Sequence, residues 1–382
     1  MTTTKQLNIT NARIVTRERE FSGNLNVRCG NIAGLDEGAL RLAGAEDWNG
    51  DYLLPGFIEL HTDNLEKHLM PRPKVSWPEF PALMAHDAEI AAAGITTVYD
   101  ALGVGDVDEA ALRGKDLSGL MRCIDDAEAA DLLRVEHRLH VRCELPAPNA
   151  VRLFEPFVNN PRVQLLSLMD HTPGQRQWTN VEQARIYYTG KKGWSEEKFE
   201  HVVTESKTLQ QQYAQPHRQF FVEHARSRNI PLASHDDTTR EHVTEAREAG
   251  IAVSEFPTTF EAARAARAHA LGIVMGAPNV VRGGSHSGNI AAADLAREGL
   301  LDVLSSDYVP SSLLSAAFIL VEKCGFTVPQ AVATVSANPA QCVGLNDRGE
   351  IAPGKRADFS RVRLVNGAPS VIAVWRCGKR VA

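Results

Sequence analysis

The chain has 382 residues, of which 43% are hydrophobic and 23% are charged, as in an ordinary globular protein. Lys and Arg number 41 against 47 Asp and Glu, and the net charge of −6 argues against nucleic-acid or anionic-membrane partners, which require a positive field. No Cys-x-x-Cys pair, signal-peptide core or apolar run of roughly 20 residues is present. We therefore expect a cytoplasmic protein, in which a local basic pocket for a small anion is still possible.

Both ends of the chain alternate apolar and polar residues, the period of half-buried strands. The pattern is seen in "LNITNARIV" and "GNLNVRCGNIAGL" near the start and in "SVIAVWRCGKRVA" at the end. We expect residues 1–53 and 345–382 to pair into one small β-sandwich domain built from both termini.

Between these ends, apolar runs of strand length alternate with helix-like segments, two of which end at Gly94 and Gly250. Eight such units predict a (β/α)8 TIM-like barrel over residues 54–344. A doubly wound parallel sheet is the alternative, but no G-x-G-x-x-G opens a helix. The runs are "GFIELHTD", "TTVYDAL", "LHVRCELP", "VQLLSLMDHT", "IPLASHDD", "IAVSEFPTT", "GIVMGAPN" and "LDVLSSD".

One connection, residues 174–228, is far longer than a usual crossover. Long insertions on barrel loops often form lids over the active site. An extra pair of surface helices explains the length equally well, and both interpretations stay open.

Several of the apolar runs end in imidazole or carboxylate side chains, and barrels carry their catalytic groups at these strand ends. One such residue is usually a hydrogen-bonded cap, whereas several at matching positions predict a metal centre. This donor set suits Zn²⁺, Mn²⁺ or Fe²⁺. The candidate ligands are His61, Asp63, Glu144, His171, His235 and Asp307. Glu255 ends the sixth run and is not favoured as a ligand.

The stretch "PGFIELHTDN" together with "SSDYVP" resembles the amidohydrolase superfamily. The longer run "ELHTDNLEKHLMPRPKVSWPEFPALMAHDAEIAAAGITTVYDAL" is similar to the PhnM-type diphosphatases of phosphonate catabolism in the carbon–phosphorus lyase pathway. Further motifs of that family are matched by "RCELP", "SLMDHTPGQRQ", "SHDDTT", "SEFPTT", "GAPNVVRGGSHSGN" and "SSDYVPSSLL". The resemblance spans essentially the whole chain and implies a metal-dependent hydrolase barrel with a small β-sandwich.

The chain departs from the broad superfamily pattern at three places. Asp63 stands where most members have a second histidine, and no lysine ends the third or fourth run. The resemblance therefore implies Glu144 as the bridging carboxylate. Because Glu255 replaces the sixth-strand histidine, His171 is implied as the missing imidazole. Two divalent ions, zinc or alternatively manganese or iron, would activate a water, with Asp307 as both ligand and general base.

The resemblance implies a small, densely anionic sugar substrate, α-D-ribose 1-methylphosphonate 5-triphosphate, which is hydrolysed to 5-phosphoribosyl 1-methylphosphonate and pyrophosphate. That substrate would explain the basic residues near the strand ends, including a glycine-rich loop after the seventh strand that lacks the P-loop pattern. The candidate substrate-binding residues are Lys67, Arg72, Lys74, Arg176, Lys191, Lys192, Arg282 and His286.

Two other functions are consistent with the same residues. An amidohydrolase acting on a cyclic amide or an N-acetyl sugar phosphate would direct the same chemistry at a carbonyl carbon. An inactive scaffold of a phosphonate-processing assembly would need no catalysis, although the retained candidate ligands argue against it. A homodimer is the default expectation.

Overall fold

The computed structural model of the protein describes residues 6–72, 75–105, 117–179, 181–191, 193–285 and 288–382. Its strands are β1 Gln6–Val15, β2 Glu20–Arg28, β3 Asn31–Glu37, β4 Glu46–Asp47, β5 Tyr52–Pro55, β6 Phe57–Thr62, β7 Ile95–Val104, β8 Glu136–Glu144, β9 Val163–Met169, β10 Leu232–His235, β11 Val253–Glu255, β12 Gly272–Gly276, β13 Val303–Ser305, β14 Phe359–Val365, β15 Ala368–Arg376 and β16 Lys379–Arg380. Its helices are α1 Asn64–Leu69, α2 Glu79–Ala92, α3 Ser118–Ala129, α4 Ala150–Phe154, α5 Val181–Ile186, α6 Glu196–Arg228, α7 Arg240–Glu248, α8 Phe260–Ala268, α9 Ala277–Arg282, α10 Ala292–Arg297, α11 Ser312–Cys324, α12 Val328–Ala333 and α13 Ala337–Cys342.

Strands β6 to β13 lie side by side in chain order, all parallel, and form the predicted eight-stranded barrel. A bridge between Thr62 and Asp307 joins the last strand to the first. The strands are continuous apolar runs because one face packs inside the barrel and the other against helices; β7 is buried at all ten positions. The barrel prediction is confirmed, and each of the eight expected runs overlaps one strand.

A buried carboxylate links the first and last barrel strands where the barrel closes. Glu59 on β6 accepts hydrogen bonds from the backbone N–H of His61 at 2.6 Å and of Ser306 at 2.6 Å. Burial raises the pKa of Glu59 to about 7, against the opposing effect of these bonds. Across the same seam, the N–H of Asp307 donates to the carbonyl of His61 at 3.0 Å. The first and eighth strands therefore place their candidate ligands side by side.

The helices predicted to end at Gly94 and Gly250 do end there. Helix α2 stops at Ala92 and α7 at Glu248, and both glycines have positive φ, 93° and 78°. Glycine adopts this left-handed conformation without the steric cost of a Cβ, so the chain can turn back into the next strand.

The terminal strands form a second sheet, separate from the barrel, in the order β16-β15-β14-β5-β1-β2-β3, with β4 paired to β1. Both ends of the chain contribute, as expected, because β14 pairs with β5. This mixed sheet has its own core, in which the Trp375 ring lies 5.3 Å from Trp48 and 5.1 Å from Phe359. We keep 1–53 with 345–382, and 54–344, as the proposed domain boundaries.

The long connection at residues 174–228 contains the short helix α5 and the 33-residue helix α6. It has an apolar cluster of its own, formed by Trp178, Ala184, Phe199 and Val203. Nearby Gln177 lines a cavity of about 300 Å³ that His61, His171 and His235 also line, so this segment borders the ends of the barrel strands. A lid role for the insertion stays a proposal.

Among the described helices, none combines the length and apolar character needed to span a membrane.

Candidate metal centre

Three imidazoles meet where the barrel strands end. His61 is near the end of β6, His235 ends β10, and His171 follows β9 by two residues. The ring centroids of His61 and His235 are 5.8 Å apart, and those of His171 and His235 are 5.6 Å apart. His61 and His235 are almost completely buried. Three residues that are far apart in sequence thus form one cluster.

Glu255 on β11 orients two of these rings. Its Oε1 lies 2.7 Å from Nδ1 of His61, and its Oε2 lies 2.7 Å from Nδ1 of His235. Burial alone would raise the pKa of Glu255, but the neighbouring imidazoles hold it well below its usual range. With Nδ1 engaged, each histidine keeps Nε2 as its remaining ligand atom. Glu255 therefore contacts the ligands, a role that the sequence did not indicate.

Glu144 does the same for the third ring. Its Oε2 lies 2.5 Å from Nδ1 of His171, and its Oε1 accepts the backbone N–H of His171 at 2.9 Å. Both oxygens of this predicted ligand thus lie against His171. These contacts suit an orienting role for Glu144, and the bridging role that the resemblance implies stays a prediction.

Three aspartates complete two neighbouring groups of donors. His61, Asp63 and Asp307 form one group, and His171, His235 and Asp236 form the other; within each group the ligand atoms lie within 4.8 Å of one another. Nε2 of His61 is 3.7 Å from Asp63, and Nε2 of His235 is 3.4 Å from Asp236. Imidazole nitrogen with carboxylate oxygen is a donor set that suits zinc, manganese or iron. The residues present therefore fit a divalent metal centre.

The backbone is strained at three positions around these groups. Asp236, Phe256 and Asp307 have φ of 57°, 55° and 54°, in the left-handed region that residues with a Cβ rarely adopt. Asp236 and Phe256 directly follow β10 and β11, and Asp307 lies two residues beyond β13. Such strain commonly accumulates at functional sites, where the surrounding structure fixes it.

The pKa of Asp307 bears on the general-base role that the resemblance implies for this residue. Burial raises its pKa to about 6, and the nearby charge of Asp63 acts in the same direction, while His61 and Arg142 oppose it. A base with a pKa near the working pH is ionised and still able to accept a proton. Asp307 lies just beyond the eighth barrel strand, as the sequence predicted.

A cavity of about 300 Å³ opens beside the candidate donor groups. The histidines and aspartates form its floor, and Arg282, Gly284 and Ser285 of the glycine-rich loop line its wall. Arg282 is exposed and ends α9, which follows the seventh barrel strand. Of the predicted substrate-binding residues that the structure describes, Arg282 alone lines this cavity.

The other predicted basic residues lie elsewhere. Arg176 is 5% exposed and pairs with Asp237, with its second nitrogen 3.2 Å from Glu245, so its charge is used inside the protein. Nζ of Lys67 lies 3.7 Å from Oε1 of Glu89. Arg72 is exposed and is not among the residues that line the cavity. Outside the described part of the chain are Lys74, Lys192, His286 and the side chain of Lys191.

Two charged residues that line the cavity were not predicted as site residues. Asp236 follows His235 directly, and Arg142 lies on β8, two residues before Glu144. Nη1 of Arg142 donates to Oδ1 of Asp63 at 2.6 Å. The signal for Arg142 was present, because residues two apart on a strand share a face and Glu144 was already assigned to the site.

A further cluster of His86, Asp100 and His137 is completely buried outside the cavity-lining set. The oxygens of Asp100 lie 2.7 Å from His86 Nε2 and 2.7 Å from His137 Nδ1. Asn64, the residue after Asp63, contacts Nδ1 of His86 at 3.0 Å. The cluster thus ties α2, β7 and β8 to the loop that carries a candidate ligand.

A sequence model described as "Amidohydrolase family" matches residues 207–381. The alpha-D-ribose 1-methylphosphonate 5-triphosphate diphosphatase of Escherichia coli (strain K12) is 48% identical over 375 residues, which cover 98% of this chain and 99% of that protein.

Two solved structures share the fold over nearly their full length. The 5-methylcytosine deaminase from Klebsiella pneumoniae has a TM-score of 0.65 at 15% identity, covering 98% of this chain and 97% of its own. The N-acetyl-D-glucosamine-6-phosphate deacetylase from Mycobacterium smegmatis has a TM-score of 0.61 at 16% identity, covering 99% and 100%. At these identities the likeness concerns architecture alone.

Proposed function

Because this chain belongs to the amidohydrolase family, within its group of ribose 1-methylphosphonate 5-triphosphate diphosphatases, we propose that it hydrolyses α-D-ribose 1-methylphosphonate 5-triphosphate to 5-phosphoribosyl 1-methylphosphonate and pyrophosphate. The 48% identity over nearly the whole chain is the observation that carries this proposal. The enzyme would therefore act in phosphonate catabolism.

We assign two divalent ions to the two donor groups, zinc in preference to manganese or iron. His61, Asp63 and Asp307 would hold one ion, and His171, His235 and Asp236 the other. When bound, such ions supply an activated water and neutralise phosphoryl charge. Glu255 and Glu144 would keep the three rings oriented through Nδ1.

Asp307 would accept the proton of the attacking water, since its raised pKa and its place beside His61 and Asp63 suit that task. The oxygen of that water bonds to the phosphorus nearest the ribose, and the bond to the bridging oxygen breaks. Pyrophosphate leaves with that electron pair. Arg282, exposed at the wall of the cavity, would bind the leaving pyrophosphate.

An amidohydrolase acting on a cyclic amide or an N-acetyl sugar phosphate is the second candidate, favoured by the folds of the deaminase and deacetylase described above. Both candidates need the same metal groups, so the substrate discriminates between them. We also propose a homodimer in the cytoplasm, and light scattering on the purified protein checks the dimer.

Phosphorus NMR of the metal-loaded protein with the 5-triphosphate substrate tests the main proposal. Pyrophosphate should appear with the wild type and be strongly reduced with Asp307→Asn, at equal metal content. Absence of pyrophosphate with metal-loaded wild type would refute the diphosphatase. Hydrolysis of an N-acetyl sugar phosphate by the same sample would then identify a carbonyl-directed enzyme.

A further inference from the structure

Arg142 extends from the third barrel strand to the cavity and has no part in the chemistry assigned so far. On β8, His140, Arg142 and Glu144 share one face because strand side chains alternate. His140 contacts the ring of His61, and Glu144 contacts His171. Arg142 therefore lies between these two contacts and next to the metal-binding groups. It is 5% exposed.

The hydrogen bonds of Arg142 leave one side of the guanidinium unused. Nη1 donates to Asp63 at 2.6 Å. Nε is buried without a hydrogen-bond partner, and the described residues offer none to Nη2. Nε and Nη2 form the edge on which arginine presents two parallel N–H donors. A buried ionised group with unsatisfied donors is unfavourable for the folded protein unless something else binds there.

The surroundings keep Arg142 charged. Burial alone would lower its pKa, but Asp63, Glu66, Glu255 and Asp307 together raise it. Three of these carboxylates belong to the metal centre or orient its histidines. The positively charged guanidinium of Arg142 thus lines the same cavity as the donor groups.

We propose that the Nε–Nη2 edge of Arg142 binds two oxygens of the phosphoryl group under attack, which makes Arg142 a catalytic residue for phosphoryl substrates. The inference rests on the proposed diphosphatase function. Two oxygens on one phosphorus match the spacing of the two donors, whereas a carbonyl carbon offers a single oxygen. Arg142 would therefore favour a phosphoryl over a carbonyl substrate.

Arg142 keeps its protons throughout the reaction. Negative charge on the two bound oxygens increases as the water oxygen adds to phosphorus, and the guanidinium stabilises that charge most at the transition state. Asp307 takes the proton of the water, and pyrophosphate takes the electron pair of the broken bond. Arg282 acts on the leaving pyrophosphate, so the two arginines contact different parts of the triphosphate.

Arg142→Lys is the decisive variant, because lysine keeps a point charge beside Asp63 but has no two-donor edge. We expect metal content to be unchanged and kcat/KM for the triphosphate to fall about 100-fold, about tenfold through a higher KM and about tenfold through a lower kcat. Arg138→Lys is the matched control: Arg138 is on the same face of β8, but it pairs with Glu136 at 2.7 Å and does not line the cavity. The kcat/KM of Arg138→Lys should stay within about twofold of the wild-type value, since this change leaves the catalytic groups in place.

Chemical rescue separates binding from positioning. Arg142→Ala should regain at least tenfold activity with added methylguanidinium if the guanidinium acts on the substrate. Activity of Arg142→Lys near the wild-type value would overturn the proposal. So would loss of metal in proportion to loss of activity, which would make Arg142 only a positioning residue for Asp63.

Calorimetric titration of inorganic tripolyphosphate into the metal-loaded wild type and Arg142→Lys provides a readout that does not require turnover. Weaker binding of about tenfold in the variant supports the contact. Equal binding in both proteins counts against it. A wild type that binds tripolyphosphate through Arg142 but releases no pyrophosphate from the sugar substrate would instead refute the proposed diphosphatase.

Discussion

Glu255 and His235 lie opposite each other on neighbouring parallel strands, with Oε2 of the carboxylate 2.7 Å from Nδ1 of the ring. The other oxygen of Glu255 reaches His61, 194 positions away in the sequence. A single carboxylate thus fixes the orientation of two imidazoles from different strands. Their Nε2 atoms are the ones left for ligand binding.

Glu255→Gln should weaken metal binding, because the two rings contact different oxygens of Glu255 and the amide would present an NH2 donor to one of the two Nδ1–H groups. We expect metal affinity to fall about 10- to 100-fold. The measurement is metal content after dialysis against graded chelator. Exposed Glu248→Gln on α7 serves as the control. Equal retention of metal in both variants would contradict the orienting role.

Arg282→Ala should raise KM or lower kcat for the triphosphate while metal content stays constant, because Arg282 lines the cavity without contacting the donor groups. A loss of one charged hydrogen bond corresponds to about a tenfold effect. Steady-state kinetics of pyrophosphate release check it, with exposed Arg240→Ala as the control. Unchanged KM and kcat in Arg282→Ala would show that Arg282 does not bind the substrate.

Removal of metal should abolish activity and lower the midpoint of thermal unfolding, because ions that bind only the folded chain stabilise it. Elemental analysis during reconstitution should give two ions per chain at full activity, one for each donor group. Full activity at one ion per chain would contradict the two-ion assignment. Full activity without metal would contradict the metal centre itself.

Glu136 should stabilise the protein above acidic pH. Burial alone would raise its pKa, but Arg356 and Arg348 lower it to about 2, from an ordinary value of 4.5. A lowered pKa means that the stabilisation is present above pH 4.5 and is lost as the pH falls through about 2. Glu136→Gln should cost about 3 kcal/mol at pH 7 and flatten this acid dependence.

Denaturant unfolding of the two proteins between pH 7 and pH 2 measures this effect. Glu136 joins β8 to Arg348, 2.6 Å away, and to Arg356, both of which precede the last strands of the terminal sheet. Parallel curves for wild type and variant would show that the ion pairs contribute nothing to stability.

Asp100→Asn should destabilise the buried histidine cluster by about 3–5 kcal/mol, since it leaves charged His137 without its closest partner. Burial alone would lower the pKa of His137, but Asp100 outweighs it and raises the value to about 9. The wild type therefore loses stability as the pH rises from 6.5 through about 9.

Unfolding by urea over that alkaline range checks the prediction. The decline should be absent in Asp100→Asn and retained in Asp126→Asn, whose aspartate is exposed. The same alkaline decline in all three proteins would exclude the cluster as its cause.

The barrel and several of its candidate donors could be predicted because the strands are apolar runs and a polar side chain lies at or just after the end of several of them. His61, Asp63, His235 and Asp307 all follow this pattern. The role of Glu255 could not be predicted, because it depends on which residues face each other across strands far apart in sequence.

Basic side chains were harder to interpret than the metal donors. Arg176 follows a strand end as a substrate-binding residue would, yet it pairs with Asp237 inside the protein. Arg142 lies within an apolar run and reaches the cavity. Long side chains can turn toward a site or away from it, so their position in sequence carries less information than that of short ligands near the backbone.

The closure of the barrel has a consequence for biosynthesis. Thr62 and Asp307, 245 positions apart, meet at the seam, so the first donor group is incomplete until the ribosome has released the eighth strand. The terminal sheet is likewise incomplete until β14 has been synthesised and can pair with β5. A nascent chain that stops before residue 307 lacks one carboxylate of this group. A metal ion that needs Asp307 as a ligand would therefore bind this group only after most of the protein has been translated.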